Sequence, residues 1–258
     1  MRNPLRIFLG DLTYDTTVTS TNGIPLNIGY LASYIIQKFG SDIEVVLYKY
    51  IDKLEQDILK APPDVLALSN YCWNQNIGHE MFRLLHEENL NALTVWGGPN
   101  FHKNRLSQEQ WLNKFPEADV YVPLEGEVGF ANTIEAILKL ENRTGIRSHI
   151  RTKTIDNCII RSLDDNYLHG GPCLRVKDLN GIPSPYLNGL LDKFFDGKLD
   201  PYIQTSRGCP FKCSYCVDGS ELVSKVNRFN LQRVTEELNY IAKRVPSNIH
   251  TLGIMNLN

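Results

Sequence analysis

The segment Asp64–Ser69, DVLALS, is a short apolar run in which polar and apolar residues do not alternate. A strand that is apolar on both faces is typical of a parallel sheet covered on both sides by helices. The surrounding sequence repeats this pattern, because short apolar runs alternate with stretches of helical periodicity. Strands are predicted at Leu5–Leu9, Ile43–Tyr48, Asp64–Ser69, Leu93–Trp96 and Val120–Val122.

Helices are predicted between these strands. The clearest is Leu26–Phe39, which follows Pro25 and precedes Gly40, residue types that are favoured at those two ends of a helix. The others are predicted at Lys53–Leu59, Ile77–Glu88, Ser107–Phe115 and Glu127–Leu140. This alternation predicts an α/β fold over residues 1–142, with a doubly wound, parallel five-stranded sheet of Rossmann or flavodoxin type.

The composition is that of an ordinary globular protein, with 258 residues, of which 42% are hydrophobic and 22% charged. The formal net charge of −2 gives no general attraction to nucleic acid or to an anionic membrane, so nucleic acid is not an expected partner. The N-terminal apolar run ends at Gly10, which makes it too short for a signal peptide or a membrane span. We therefore expect a cytoplasmic protein without a membrane span.

Residues 143–200 are predicted to be a connector, since they contain short polar stretches with Gly and Pro, room for one hairpin, and a short helix at Leu187–Phe195. A new pattern begins with a strand at Pro201–Ser206 and continues with an amphipathic helix in Leu231–Val245 and a last strand. Residues 201–258 are therefore predicted to form the first portion of a second α/β domain.

The loop of this second domain contains three of the six cysteines, with the spacing C-x3-C-x2-C. They are Cys209, Cys213 and Cys216. In a reducing compartment such a group is typical of metal ligands rather than disulfides. Three thiolates can bind three irons of a 4Fe–4S cluster and leave the fourth iron open to a small molecule. A zinc site is the alternative, but Cys158, Cys173 and His250 lie at no usual spacing for its fourth ligand.

The cysteine spacing, the preceding strand and the following helix resemble the radical S-adenosylmethionine (SAM) enzymes, whose motif is C-x3-C-x-aromatic-C. The resemblance implies that the three cysteines bind a 4Fe–4S cluster and that SAM chelates its open iron. It also implies that Tyr215, the aromatic residue before the last cysteine, contacts SAM. Asn256 falls where relatives carry the first acid of a second-strand motif, and is expected to contact SAM as well. An external one-electron donor is implied as a partner.

The N-terminal half resembles the cobalamin-binding domain that precedes many radical SAM barrels. The matching segments are GIPLNIGYLASYI (23–35), PPDVLALSN (62–70), VWGGPN (95–100) and LEGEVGF (124–130). The resemblance implies that cobalamin binds beyond the carboxyl ends of the strands, where open parallel sheets hold their ligands. The expected cobalamin-binding residues are Thr13, Thr17, Ser69, Asn70, Gly97, Gly98 and Gly126.

This sequence differs from other cobalamin-binding proteins in the residue that would bind the lower face of cobalt. Cobalamin mutases and methionine synthase carry D-x-H-x-x-G after the first strand, whereas the first loop here contains Asp11 and Asp15 but no His. The resemblance therefore implies no His ligand from this loop.

Together these resemblances imply the N-terminal part of a cobalamin-dependent radical SAM enzyme that acts on a small-molecule substrate. Methyl transfer to an unactivated carbon, or another radical reaction, is the implied chemistry. A methylthiotransferase is a second interpretation, but it requires three further cysteines where only Cys72 lies before residue 150. A third is a non-catalytic cobalamin-binding or structural module with a vestigial cluster loop.

A full radical SAM barrel repeats the β-α unit six times, and residues 201–258 supply only the first unit and part of the second. We therefore expect this chain alone not to cleave SAM. We also expect exposed strand edges to favour self-association.

Overall fold

The computed structural model describes residues 3–14, 22–172, 175–211, 213–214, 216 and 223–256. The chain divides into two compact units. The first contains Met1–Thr21 and Tyr34–Arg175, and the second contains Asn22–Ser33 and Val176–Asn258. Among the described helices, none combines the length and the hydropathy that crossing a lipid bilayer requires.

The first unit is built on a seven-stranded sheet with the strand order β2-β1-β3-β4-β5-β6-β7. Strands β1 to β5 pair in parallel, whereas β6 and β7 are antiparallel to their neighbours. The strands are β1 (Leu5–Thr13), β2 (Ile43–Tyr50), β3 (Val65–Ser69), β4 (Leu93–Gly97), β5 (Val120–Val122), β6 (Ile159–Arg161) and β7 (Tyr167–His169). The helices up to residue 150 are α1 (Leu26–Phe39), α2 (Ile51–Lys60), α3 (Gln75–Glu88), α4 (Arg105–Leu112), α5 (Gly126–Leu138) and α6 (Ile146–Ile150).

This architecture confirms the predicted α/β fold with five parallel strands. Strand β3 is buried along its whole length, and in β1 only Arg6 is not fully buried. Such burial on both faces explains why these strands read as continuous apolar runs. The hairpin expected in residues 143–200 is present as β6 and β7, and it extends the sheet to seven strands.

An aromatic cluster packs against one face of the sheet. The ring of Trp96 lies 5.1 Å from that of Phe82, 5.2 Å from that of Phe115 and 5.5 Å from that of Trp111, measured between ring centroids. Trp96 is fully buried. Large aromatic side chains of this kind contribute most of the apolar area that a core removes from water.

A buried carboxylate, Asp119, ties the amino ends of β4 and β5 to α6. The guanidinium Nε of Arg147 donates to both carboxylate oxygens of Asp119, at 2.8 and 3.0 Å. The backbone N–H and the hydroxyl of Thr94 both donate to Asp119 Oδ2, and His86 Nε2 lies 3.6 Å from the same oxygen. These bonds compensate for removing the charge from water.

The second unit is assembled from short elements, namely β8 (Tyr202–Ile203), β9 (Ser206–Arg207), β10 (Asn227–Arg228), α7 (Leu231–Ala242) and β11 (Gly253–Ile254). β8 pairs with β11 in parallel, and β9 pairs with β10 antiparallel. The β-loop-α-β order predicted from Pro201 onwards is therefore present. The short helix predicted at Leu187–Phe195 is instead a single 3₁₀ turn, Asp192–Phe194, beside other turns.

Tyr186 completes the hydrogen bonding of β8 on the side away from β11. Its buried hydroxyl donates to the carbonyl oxygen of Tyr202 at 2.7 Å and accepts from the N–H of the same residue at 3.2 Å. One side chain thus satisfies both backbone groups that would otherwise face a neighbouring strand.

Protonation of Asp119 is expected to destabilise the first unit. Burial alone would raise the pKa of this carboxyl, but His86 and Arg147 outweigh that effect and hold its pKa below the ordinary value. A carboxyl whose pKa is depressed by folding stabilises the protein above its unfolded pKa of about 3.9, and this contribution is lost as the pH falls through the folded pKa.

An Asp119→Asn variant should therefore be less stable by about 3 kcal/mol at neutral pH, because Arg147 is left unpaired. The difference from the unsubstituted chain should shrink when both are unfolded by urea at a pH below about 3.9. Glu135→Gln is the control, since it removes a carboxylate that pairs with Lys38 and Lys139 at the exposed surface. A destabilisation by Asp119→Asn that is equally large at both pH values would contradict this account.

Candidate functional site

A buried polar network lies at the carboxyl ends of three neighbouring strands. Lys49 of β2 donates to Asp11 Oδ2 of β1 at 3.0 Å, and Ser69 of β3 donates its hydroxyl to Asp11 Oδ1. Asn74 Nδ2 donates to the hydroxyl of Ser69 and to the carbonyl of Leu12. The Lys49 ammonium is 1% exposed, so its ion pair with Asp11 leaves this part of the edge without net charge.

A second network at the same edge consists of carboxamides and one phenol. Asn70 Nδ2 donates to the carbonyl of Asn100 at 3.2 Å and to the hydroxyl of Tyr121 at 3.4 Å. Asn100 Nδ2 donates in turn to Gln75 Oε1 at 2.7 Å, and Tyr121 donates to the carbonyl of Gly98 at 2.8 Å. Burial raises the pKa of Tyr121, so this phenol stays protonated and acts as a donor.

Gly98 allows the loop after β4 to lie against the loop after β3. Its φ of +134° is strained for any residue with a side chain, and a Cβ there would lie 2.6 Å from the carbonyl oxygen of Asn70. Its neighbour Gly97 would place a Cβ 3.3 Å from the carbonyl oxygen of Val122. The absence of a side chain at Gly98 therefore allows the backbones of the loops after β3 and β4 to lie in contact at this edge.

The loop after β5 completes the edge. Gly126 is the first residue of α5, and Glu125 Oε1 accepts from Arg175 Nε at 2.9 Å. Leu124 has a φ of +58° and is 45% exposed, which is an unusual conformation and environment for a leucine.

Thr13 ends β1 and is buried, with its hydroxyl donating to the carbonyl of Tyr14 at 3.4 Å.

Five predicted cobalamin-binding residues, Ser69, Asn70, Gly97, Gly98 and Gly126, thus lie at the carboxyl ends of β3, β4 and β5. Thr13 lies at the carboxyl end of β1. The predicted Thr17 lies outside the described residues.

Sequence reasoning missed several residues of this edge, namely Lys49, Tyr71, Trp73, Asn74, Asn100 and Tyr121. Tyr71, Trp73 and Asn74 could have been found from their position in the loop after β3. In parallel sheets, ligands bind at the edge where such loops meet. The rings of Tyr71 and Trp73 stack with centroids 4.5 Å apart, and Trp73 is 42% exposed. Lys49 gave no such signal, because a lysine near a strand end is usually solvated.

The three cysteines of the second unit are free thiols on the loop after β9. Cys209 is buried, Cys213 is half-buried and Cys216 is exposed. The N–H of Cys209 donates to the carbonyl of Val223 at 2.9 Å, and the N–H of Cys216 donates to the carbonyl of Cys213 at 3.1 Å. The loop is therefore bonded at its start to the segment that precedes β10, and a backbone hydrogen bond links the last two cysteines.

Gly208 fixes the turn that leads into the first cysteine. Its φ is +107°, and a Cβ would lie 2.3 Å from the carbonyl oxygen of Lys225 and 2.9 Å from that of Val223. Both the conformation and the space therefore exclude a side chain at this position.

Asn256 lies beside the strand that carries the cysteine loop. Its Oδ1 accepts from the N–H groups of Thr205 and Ser206 at 2.9 and 3.1 Å, and its Nδ2 donates to the hydroxyl of Thr205 at 2.6 Å. The side chain ties the end of β11 to the connection between β8 and β9. The predicted SAM contact Tyr215 lies outside the described residues.

The donor set of the cysteine loop fits an iron–sulfur cluster, since thiolates are its usual protein ligands. Within residues 3–14, 22–172, 175–211, 213–214, 216 and 223–256, no three His, Cys, Asp or Glu side chains are grouped around a single ion position. A cubane cluster does not require such a grouping, because each of its thiolates binds a different iron.

Known proteins resemble this chain in sequence and in fold. It is 28% identical over 232 residues to the cobalamin-dependent radical SAM methyltransferase TokK of Streptomyces tokunonensis, a match that covers 85% of this chain and 32% of TokK. The solved structure of OxsB, a cobalamin-dependent SAM radical enzyme with aqua-cobalamin and SAM bound, matches 98% of this chain with a TM-score of 0.69 and 17% identity. The predicted resemblance to cobalamin-dependent radical SAM enzymes is confirmed.

The match to OxsB covers 34% of that protein. The structure of TsrM from Kitasatospora setae, a radical SAM methyltransferase with cobalamin and a 4Fe–4S cluster bound, matches 98% of this chain and 48% of its own, with a TM-score of 0.64 and 13% identity. At these identities the likeness to OxsB and TsrM is one of fold. No protein-family model matches the chain. The chain spans about a third of the length of TokK.

A Gly208→Ala substitution should open the start of the cysteine loop. The strained φ costs about 1–2 kcal/mol before the clash with two carbonyl oxygens is counted, which corresponds to roughly tenfold or more in a local opening equilibrium. Hydrogen exchange at the Cys209 amide should therefore accelerate by at least that factor. Gly181→Ala is the matched control in the same unit, because a Cβ at Gly181 meets no atom within 4 Å. Equal exchange rates in both variants would refute the assigned role of Gly208.

Proposed function

We propose that this chain is part of a cobalamin-dependent radical SAM enzyme that transfers a methyl group, or performs another radical reaction, on an unactivated carbon of a small molecule. The observation that carries the proposal is the loop after β9, in which three free thiols follow a turn that only glycine permits. The similarity to TokK and the fold shared with OxsB and TsrM support it.

Cys209, Cys213 and Cys216 would hold the 4Fe–4S cluster through their thiolates. When bound and reduced by an external donor, the cluster would supply the single electron for reductive cleavage of SAM. The chain's own contribution is to fix the ligands. The bond from the N–H of Cys209 to the carbonyl of Val223 fixes the first ligand, and the bond from the N–H of Cys216 to the carbonyl of Cys213 keeps the other two near each other. An external one-electron donor is part of this proposal.

The carboxyl edge of the first unit would hold cobalamin, which carries a methyl group between SAM and the substrate in this class of enzyme. The rim of a corrin ring carries amide side chains, which bond to neutral donors and acceptors. Asn70, Asn100 and Gln75 supply such groups at one end of the edge, where Tyr121 helps to hold them by accepting from Asn70 and donating to the carbonyl of Gly98. At the other end Lys49 and Asp11 neutralise each other, so no unpaired charge of theirs faces a neutral ligand.

The substrate and the partners follow only from the relatives. TokK is a methyltransferase. The small-molecule substrate proposed here rests on the similarity, 28% over 230 residues, to the 2-(S-pantetheinyl)-carbapenam-3-carboxylate methyltransferase of Streptantibioticus cattleyicolor. Self-association through exposed strand edges is a further part of the proposal.

The proposal predicts that the purified chain takes up iron and sulfide during anaerobic reconstitution, about four of each per chain for a cubane cluster. Cys213→Ala should lose most of both, together with the visible absorption of the cluster, because one iron loses its only protein ligand. Cys72→Ala is the control, since it removes an exposed thiol of the first unit. Failure of the unsubstituted chain to bind iron and sulfide would favour a structural module instead.

Binding of hydroxocobalamin provides a separate test of the first unit. The unsubstituted chain should shift the cobalamin absorption spectrum and co-elute with the cofactor. Gly98→Ala should weaken binding by tenfold or more, because the loops after β3 and β4 must move apart. Gly40→Ala is the matched control, since Gly40 also has a positive φ, of +51°, but a Cβ there meets no atom within 4 Å. Equal affinities in the two variants would place the site elsewhere.

A further inference from the structure

A buried lysine lies at one end of a chain of hydrogen bonds in the first unit. The ammonium of Lys49 donates to Asp11 Oδ2 at 3.0 Å, and the hydroxyl of Ser69 donates to the other oxygen of the same carboxylate. Asn74 Nδ2 donates to the Ser69 hydroxyl at 3.2 Å, and Asn74 Oδ1 accepts from the N–H of Tyr71 at 2.8 Å. The chain of bonds therefore runs from β2 through β1 and β3 to the backbone of the loop after β3.

The direction of the bonds beyond Asp11 depends on the ionisation of its carboxyl. An ionised carboxylate has no proton and can only accept, so the single proton of the Ser69 hydroxyl is donated to it. The Ser69 oxygen then accepts from Asn74, whose amide is held with its nitrogen towards Ser69 and its oxygen towards Tyr71. A protonated Asp11 would donate to Ser69 instead, and would compete with Asn74 for the oxygen of that hydroxyl.

Lys49 is the group that keeps Asp11 ionised. The side chain of Lys49 is 1% exposed and that of Asp11 is 12% exposed, so water solvates neither charge well. Over the part of the chain that the structure describes, Lys49 is the only cation paired with the Asp11 carboxylate. Burial favours the neutral form of a carboxyl and a close cation favours the charged form, so loss of the lysine would leave burial unopposed.

The charged side chains of the adjoining helix α2 have other surroundings. Lys53 pairs with Asp57 at 2.9 Å, and Tyr48 of β2 donates its hydroxyl to the same carboxylate at 3.0 Å. Asp52 is exposed to solvent. The other titratable groups on the segments that carry the chain of bonds are three phenols and a thiol, those of Tyr14, Tyr50, Tyr71 and Cys72. None of these groups is a cation, so none can replace Lys49 beside Asp11.

We propose that Lys49 is a positioning residue of the carboxyl edge of the first unit. By keeping Asp11 ionised, Lys49 fixes the orientation of the Ser69 hydroxyl, and through it that of Asn74 and the loop after β3. This inference rests on the proposed function, in which the same edge holds cobalamin. Because its only proton is donated to Asp11, the Ser69 hydroxyl can offer a ligand an acceptor but not a donor. A ligand group that Ser69 binds is therefore a donor, such as the N–H of a corrin amide.

Hydrogen exchange and infrared spectroscopy of the purified full chain, without cofactor, test this role. Lys49→Met should accelerate exchange at the Tyr71 amide by roughly tenfold or more, because Asn74 loses its fixed orientation and a bond is lost. The same variant should show, at neutral pH, an additional infrared band of a protonated carboxyl that the unsubstituted chain lacks. Unchanged exchange at Tyr71 without an additional carboxyl band would overturn the inference.

The double variant Lys49→Met/Asp11→Asn should lose the additional band and restore slow exchange at Tyr71. Its reason is that an amide oxygen at position 11 accepts from Ser69 as the carboxylate does. This variant also decides the case if Lys49→Met alone does not fold, since fast exchange at Tyr71 in the folded double variant would contradict the inference. Lys53→Met is the matched control, because Lys53 also pairs with a carboxylate but is 63% exposed. It should leave exchange at Tyr71 unchanged.

Binding of hydroxocobalamin separates this inference from the proposed function. Lys49→Met should bind hydroxocobalamin roughly tenfold more weakly than the unsubstituted chain, because Ser69 and Asn74 are no longer held in place. Lys53→Met should bind it as the unsubstituted chain does, and equal affinities in the two variants would refute a role of Lys49 at this edge. If the unsubstituted chain binds no hydroxocobalamin, the proposed cobalamin site fails, while exchange and infrared spectra still decide whether Lys49 fixes the chain of bonds.

Discussion

Parallel pairing of β1 to β5 is the constraint on which the rest of the first unit depends. Because all five strands run in one direction, the loops that leave their carboxyl ends meet at one edge. Asp11 and Ser69 therefore meet although they lie 58 residues apart, and Asn70 meets Asn100 across 30 residues. Asp119 and Arg147 lie at the opposite edge, so one end of the sheet is fixed by a buried ion pair. The other end carries hydrogen-bonded amides and hydroxyls.

Each strand described in the second unit has only two residues, so side-chain hydrogen bonds hold together segments that strand pairing holds in the first unit. Strands of two residues contribute few ladder bonds, so the base of the cysteine loop depends on single residues that fix it. Gly208 permits the turn, Asn256 binds the backbone before it, and Arg207 is held by Tyr30 and Gln204. Residues distant from the cysteines in sequence, such as Asn256, therefore help to fix the backbone that leads into their loop.

The sequence predicts the parts of this structure that depend on periodicity and on spacing. Continuous apolar runs identify the parallel strands, and C-x3-C-x2-C identifies the loop with chemistry. The sequence does not predict a side chain's burial or hydrogen bonds where these depend on a residue of another strand or helix. Lys49 is charged and reads as exposed, yet Asp11 on the adjacent strand allows its burial. Asn256 is predicted to contact SAM from its place in a motif, and that stays a prediction. Its hydrogen bonds to Thr205 and Ser206 are encoded by no local pattern.

The hydroxyl of Tyr186 has a consequence for how β8 can meet other chains. A strand that adds to a sheet must bond to free backbone N–H and C=O groups along its edge. At Tyr202 both groups are already bonded to this one hydroxyl. Burial raises the pKa of Tyr186, so the hydroxyl keeps the proton that it donates. An incoming strand would have to displace a fully buried side chain, so Tyr186 disfavours strand addition at this position. Self-association through strand edges would therefore have to use an edge other than this side of β8.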